Sequence, residues 1–78
     1  MNDDEIRALA AEVLAGIAPE ADLASVGDDE DLREALDLDS MDFLNFVIAL
    51  GQRTGRKIPE ADTRRLFTMS GLLAYLRA

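Results

Sequence analysis

Apolar residues recur at helical spacing over three stretches of the chain. In the first, Ile6, Leu9, Ala10, Val13, Leu14 and Ile17 share one stripe and predict a helix from about Asp3 to Ile17. Asp3, Asp4 and Glu5 sit where the positive end of the macrodipole favours acids, and Gly16 and Pro19 close the helix. Residues 18–38 keep no sustained period and contain Gly27 and the acidic run DDED. They read as a long loop pinned by Leu23, Val26, Leu32, Leu36 and Leu38, with a short helical turn around Asp31–Ala35. Loops of that length are uncommon in small domains unless functional. The second periodic stretch predicts a helix from about Ser40 to Arg53. Gly55 follows as a left-handed terminal residue, and Arg53 suits the negative helix end. KIPEAD reads as a connector, since Pro59 limits regular structure before it. A short third helix fits Asp62–Phe67. Thr68 or Ser70 then caps a last helix to about Arg77, with Met69, Leu72, Leu73 and Leu76 inward. The expected fold is all-α: a four-helix bundle with a long first loop and a short third helix, one domain over residues 1–78.

The helix that opens at Ser40 has two apolar faces. Advancing about 100° per residue from Ser40, Phe43, Phe46, Val47 and Leu50 cluster at roughly 290°. Met41, Leu44 and Ile48 cluster at roughly 75°. Either the helix is central and buried all round, or the second stripe is an exposed docking face beside Ser40. Asn45, on the same side, favours the docking face.

Composition narrows the chemistry. With 78 residues, no cysteine and no histidine, the chain has a small core with neither a disulfide nor a Cys/His metal cluster to supplement it. No apolar run approaches the ~20 residues of a membrane span. The first residues, MNDDE, are acidic where a signal peptide is basic, so a soluble, cytoplasmic, monomeric protein is expected. The net charge of −8 argues against nucleic acid and anionic membranes as partners. Residues 1–42 hold 14 acids against Arg7 and Arg33, whereas residues 43–78 hold two acids against six bases. The halves therefore carry −12 and +4. Acids crowd toward Ser40, so a partner approaching it is expected to be basic.

Ser40 cannot be a triad nucleophile, because the chain offers no histidine and only Lys57 as a lysine. DLDSMD alternates acids, but lacks the glycine and glutamate that complete a calcium loop. Weak divalent binding by the acidic loop stays open. Two readings of Ser40 remain. It and Asp39 are both preferred N-cap types. Alternatively, its hydroxyl is a modification point at a helix N-terminus, where backbone N–H groups and the dipole favour an attached phosphate.

LDLDSMDF resembles the attachment motif of acyl carrier proteins, in which Asp-Ser-Leu/Met opens the second helix of a four-helix bundle. The similarity extends over the chain: the amphipathic first helix, the acidic loop ending LREALDLDSMD, the apolar second helix, KIPEAD and the short last helix. The resemblance implies that Ser40 carries 4′-phosphopantetheine through a phosphodiester and that acyl groups ride on the arm's thiol as thioesters. Asp39 then matches the acid read by the phosphopantetheinyl transferase, and Met41 the apolar residue after the serine. Met41, Asp42, Leu44, Asn45 and Ile48 would form the surface met by an acyl-loading ligase or synthase and an acyltransferase. The chain itself would be no enzyme. It departs from fatty-acid carriers at Asn45, Gly51, Gln52 and Arg53, which stand where that family is usually acidic. A specialised fatty acid, lipid or polyketide-type pathway is therefore expected. An aminoacyl or peptidyl carrier loaded by an adenylating ligase is the alternative, and an acidic helical adaptor with Ser40 as a mere cap is a third reading.

Overall fold

A computed structural model describes residues 1–77. They form α1 (Asp3–Ala15), a 3₁₀ turn (Leu23–Ser25), α2 (Leu32–Ala35), α3 (Ser40–Thr54), a 3₁₀ helix (Glu60–Leu66) and α4 (Met69–Arg77), with no strand among the described residues. The expected all-helical layout holds. α1 starts with a capping box: Asn2 Oδ1 accepts from the Glu5 N–H at 2.8 Å, and Glu5 Oε1 accepts from the Asn2 N–H at 3.0 Å. It stops two residues before Ile17. The Gly16 and Ile17 N–H groups donate three residues back, to Val13 and Leu14, which tightens the last turn ahead of Pro19.

The long connection is more ordered than its lack of period suggests. Asp22 caps the 3₁₀ turn and Asp31 caps α2. Leu32 and Leu38 are buried, while Leu23, Val26 and Leu36 pack at the edge of the core. The connection also crosses the start of α4. The Leu32 N–H donates to the Phe67 carbonyl at 2.8 Å, and the Ser70 N–H donates to the Asp28 carbonyl at 3.0 Å. The acids of DDED go to separate partners. Asp28 pairs with Arg7 at 2.9 Å, and Asp29 accepts from the Ser70 hydroxyl at 3.0 Å. Glu30 accepts from the Gly27 N–H, and Asp31 pairs with Arg33 at 2.7 Å.

The third helix is 3₁₀, covering Glu60–Leu66 rather than Asp62–Phe67. Its spacing is set at once, because the Asp62 N–H donates to the Pro59 carbonyl three residues back at 2.9 Å. α4 then begins in backbone contact with it. A Cβ on Gly71 would lie 2.0 Å from the Arg65 carbonyl oxygen, so only glycine fits there. Of the two candidate caps, Thr68 fills the role: its Oγ1 accepts from the Gly71 N–H at 3.1 Å.

α1 packs on both α3 and α4, and the 3₁₀ helix packs on α4. Ile6, Leu14, Phe46, Leu50, Leu66, Leu72 and Leu76 are fully buried between them. Phe43 extends this core toward the long connection, its ring centre 6.1 Å from that of Phe46 and 5.3 Å from that of Phe67.

Candidate functional site

The chain reaches Ser40 through two consecutive caps. α2 ends in a Schellman arrangement: the Leu38 N–H donates to the Arg33 carbonyl at 2.8 Å and the Asp37 N–H to the Glu34 carbonyl at 3.4 Å. Asp37 sits between them with φ of 54°, a left-handed conformation that aspartate tolerates better than most residues. The buried Leu38 anchors the turn, and Asp39 immediately caps α3, accepting from the Asp42 N–H at 2.8 Å. Asp39 is therefore the cap, and Ser40 is the first helical residue.

Ser40 is exposed, as are Asp37 and Asp39 beside it, and Asp42 is half-buried. The N–H groups of Ser40 and Met41 have no carbonyl four residues back within α3, so they face outward at the positive helix end. A phosphate esterified to the Ser40 hydroxyl would have its free oxygens near these donors. The residues fit a phosphodiester, with Asp37 and Asp39 exposed beside it.

The two faces of α3 separate as their angles require. Phe43, Phe46, Val47 and Leu50 are buried, whereas Met41, Leu44 and Ile48 are 63%, 44% and 49% exposed. The helix is thus not buried all round. Asn45 is exposed on the same side. The stripe borders a groove of about 640 Å³ that sequence reading did not find. Leu44, Val47 and Ile48 form one wall, and Arg56, Lys57 and Ile58 the other. Gly51 lies in it because a Cβ would come within 2.9 Å of the Arg56 carbonyl oxygen. The signal for the groove was Gly51 itself, a glycine in mid-helix where only a close backbone approach repays its cost. Gly51 thus stands in place of an acid for a packing reason. Arg53 is not free either, since it pairs with Glu12 of α1 at 2.9 Å.

Among the described residues there is no group of three or more acids placed to hold a metal ion. No helix of the described residues is long and apolar enough to cross a membrane. Residues 4–76 match the family model described as a phosphopantetheine attachment site. The chain belongs to the acyl carrier protein family. It is 31% identical to polyketide-8 synthase acyl carrier protein 2 of Streptomyces avermitilis over 76 residues, covering 97% of this carrier and 82% of that one. Its prosthetic group is 4′-phosphopantetheine. Carriers of this kind have no catalytic activity of their own and work with synthase or transferase partners.

Proposed function

We propose that this carrier holds acyl intermediates on an arm attached to Ser40 and serves a polyketide-type pathway. The observation that carries the proposal is the exposed Ser40 hydroxyl at the first position of α3, beside the exposed Met41, Leu44 and Ile48. The arm supplies a terminal thiol, so that a cysteine-free chain takes part in thioester chemistry. The chain's own residues position and present it. Asp39 fixes the helix start by its cap, and its exposed carboxylate with that of Asp42 is offered to a basic phosphopantetheinyl transferase. Met41, Leu44, Asn45 and Ile48 form the docking face for the synthase and acyltransferase. The name of the Streptomyces relative supports the polyketide assignment over an aminoacyl carrier.

Intact mass after co-expression with a phosphopantetheinyl transferase tests the attachment. One added phosphopantetheinyl group is expected on the wild type and none on Ser40→Ala; a modified Ser40→Ala protein would overturn it. Mass analysis of what the arm holds in the native host tests the cargo. A captured amino acid in place of an acyl chain would move the protein to the aminoacyl carriers.

A further inference from the structure

The chain has eight basic residues and twice as many acids. Arg7, Arg33, Arg53 and Arg77 each carry an ion pair of 2.7–2.9 Å. Among the described residues, Arg56, Lys57, Arg64 and Arg65 carry none, and all are exposed. They occupy one short segment, the connector after α3 and the end of the 3₁₀ helix. Tyr75 of α4 gathers two of them. Its carbonyl accepts from Arg56 Nη1 at 3.1 Å, and the Arg65 guanidinium stands 5.9 Å from its ring centre. The two acids of the same segment offset this charge only in part. Asp62 accepts from the Tyr75 hydroxyl at 2.8 Å and keeps its own charge, and neither it nor Glu60 pairs with any of the four, so residues 56–65 carry +2 from four bases and two acids. In a chain so rich in acids, scattered cations find partners, as the other four do. Here two guanidinium groups gather at one tyrosine without an ion pair among the described residues.

From this we infer that the basic segment with Arg56 and Arg65 gathered at Tyr75, and Lys57 and Arg64 next to them in the chain, docks an acidic segment of a partner protein. Charge complementarity selects that occupant. A long polyanion such as nucleic acid, or an anionic membrane, would extend past four cations onto a molecule of net charge −8. A second copy could offer its acidic half, but both molecules carry a net charge of −8, and that repulsion opposes their association. A compact run of carboxylates on a protein surface fits the patch and pairs with arginine in bidentate fashion. The patch is also continuous with the docking stripe, since Arg56 and Lys57 wall the groove opposite Leu44 and Ile48. Resting on the docking reading above, this makes the partner's surface bipolar: basic where it meets Asp39 and Asp42, acidic where it meets Arg56 and Lys57. Two charge signs in fixed order set one orientation on α3 and reject the reverse.

The test is an NMR titration of the full-length, arm-free chain with a peptide carrying a run of glutamates, and with matched glutamine and lysine peptides. The glutamate peptide is expected to shift the amide signals of residues 56–57, 64–65 and 75, the glutamine peptide to leave them in place, and high salt to abolish the effect. Arg64→Glu/Arg65→Glu, both away from Ser40 and the groove, is expected to weaken binding about tenfold, as losing a few exposed ion pairs would. Equal shifts by the glutamate and glutamine peptides overturn the inference. So do equal shifts of the same signals by duplex DNA or anionic vesicles, or self-association abolished by the same double variant. Because the arm is absent, a negative result here leaves the Ser40 attachment standing, and a failed mass gain there leaves this inference standing.

Discussion

Arg33 places its guanidinium carbon 3.6 Å from the centre of the Phe67 ring while it grips Asp31 through Nε and Nη2. The Phe67 ring also meets Phe43 of α3, and the Phe67 carbonyl accepts from the Leu32 N–H. One residue pair thus ties α2 to the end of the 3₁₀ helix at the point where the chain turns toward Ser40. The position of Ser40 depends on this strap as well as on α3.

The strap and the Arg7–Asp28 pair make stability depend on pH in a stated direction. Hydrogen bonds from Arg33 and Arg7 hold the Asp31 and Asp28 carboxyls below their usual value of 3.8. Folded-state values below the unfolded one stabilise above about pH 4, and the contribution disappears as pH falls through the depressed values. Between neutrality and the isoelectric point near 4.2, repulsion within a chain of net charge −8 relaxes instead. Thermal melts are therefore expected to show a maximum at about pH 4–5 and a fall below it. At pH 7, added NaCl is expected to raise the melting temperature by screening over about 10 Å at 0.1 M. In Arg7→Gln/Arg33→Gln the acid limb becomes shallower. An unchanged acid limb in that variant would show that these pairs do not carry the pH dependence.

Gly71→Ala is expected to be among the most damaging single-methyl additions in the chain. The new Cβ would sit 2.0 Å from the Arg65 carbonyl oxygen, a backbone atom that cannot swing aside as the end of a side chain can. Overpacking of this kind costs about 1–3 kcal/mol or more. The informative control is Gly16→Ala, whose Cβ would meet its nearest atom at 3.6 Å. Chemical denaturation curves for the two variants make the comparison, and equal midpoints would refute the close approach.

The two stripes of α3 separate by mutation. Phe46→Ala removes a fully buried ring and is expected to cost about 3–5 kcal/mol. Ile48, 49% exposed, is expected to cost much less on truncation, while Ile48→Ala slows transfer to or from partners. Melting temperatures and a transfer assay on the same samples decide it. An Ile48→Ala variant as unstable as Phe46→Ala would remove the docking face.

What the sequence made legible followed strong local signals. The period of α1, α3 and α4 marked the buried stripes, and Met41, Leu44 and Ile48 stood out because they form a second stripe of the same period on another side of α3. Helix ends were less legible, because Gly16 and Ile17 bond three residues back and neither type announces it. The 3₁₀ geometry after Pro59 and the order within the long connection come from tertiary partners, such as Phe67 for Leu32 and Ser70 for Asp29. Asp39 and Ser40 are equally good caps by type, so only the bond to the Asp42 N–H separates them.

That separation gives a stability prediction around the motif. Asp39→Ala is expected to cost about 0.5–2 kcal/mol through the lost cap. Ser40→Ala, one residue inside the helix, is expected to cost close to nothing while removing the hydroxyl proposed to carry the arm. Asp37→Gly relieves a left-handed conformation worth about 1–2 kcal/mol against a glycine entropy cost of about 0.5–1. It is therefore expected to be neutral or mildly stabilising. Urea denaturation of the three variants measures all of this, and a Ser40→Ala loss as large as that of Asp39→Ala would return the capping role to Ser40.

The charge pattern of α3 predicts how the carrier behaves with foreign enzymes. Asn45 and Gln52 are exposed and neutral, and Arg53 brings a positive charge that Glu12 offsets at 2.9 Å. A basic enzyme of general fatty-acid elongation would find no carboxylate along α3 beyond Asp42. Each exposed ion pair is worth about 0.2–1 kcal/mol, so several missing together weaken docking by about one to two powers of ten, mainly through slower association. Asn45→Glu and Gln52→Glu place acids on the exposed side without disturbing a contact. Arg53→Glu also breaks the Glu12 pair and sets two acids against each other, so its gain in docking comes with some loss of stability. Gly51 is left unchanged, because any side chain there meets the Arg56 carbonyl. The double variant Asn45→Glu/Gln52→Glu is therefore the cleaner test, with the triple variant as its extension. Elongation of acyl chains loaded on each protein is expected to rise from wild type to double variant, and the rise to shrink at high salt. Wild-type elongation equal to that of an ordinary acidic carrier would return this protein to primary lipid synthesis.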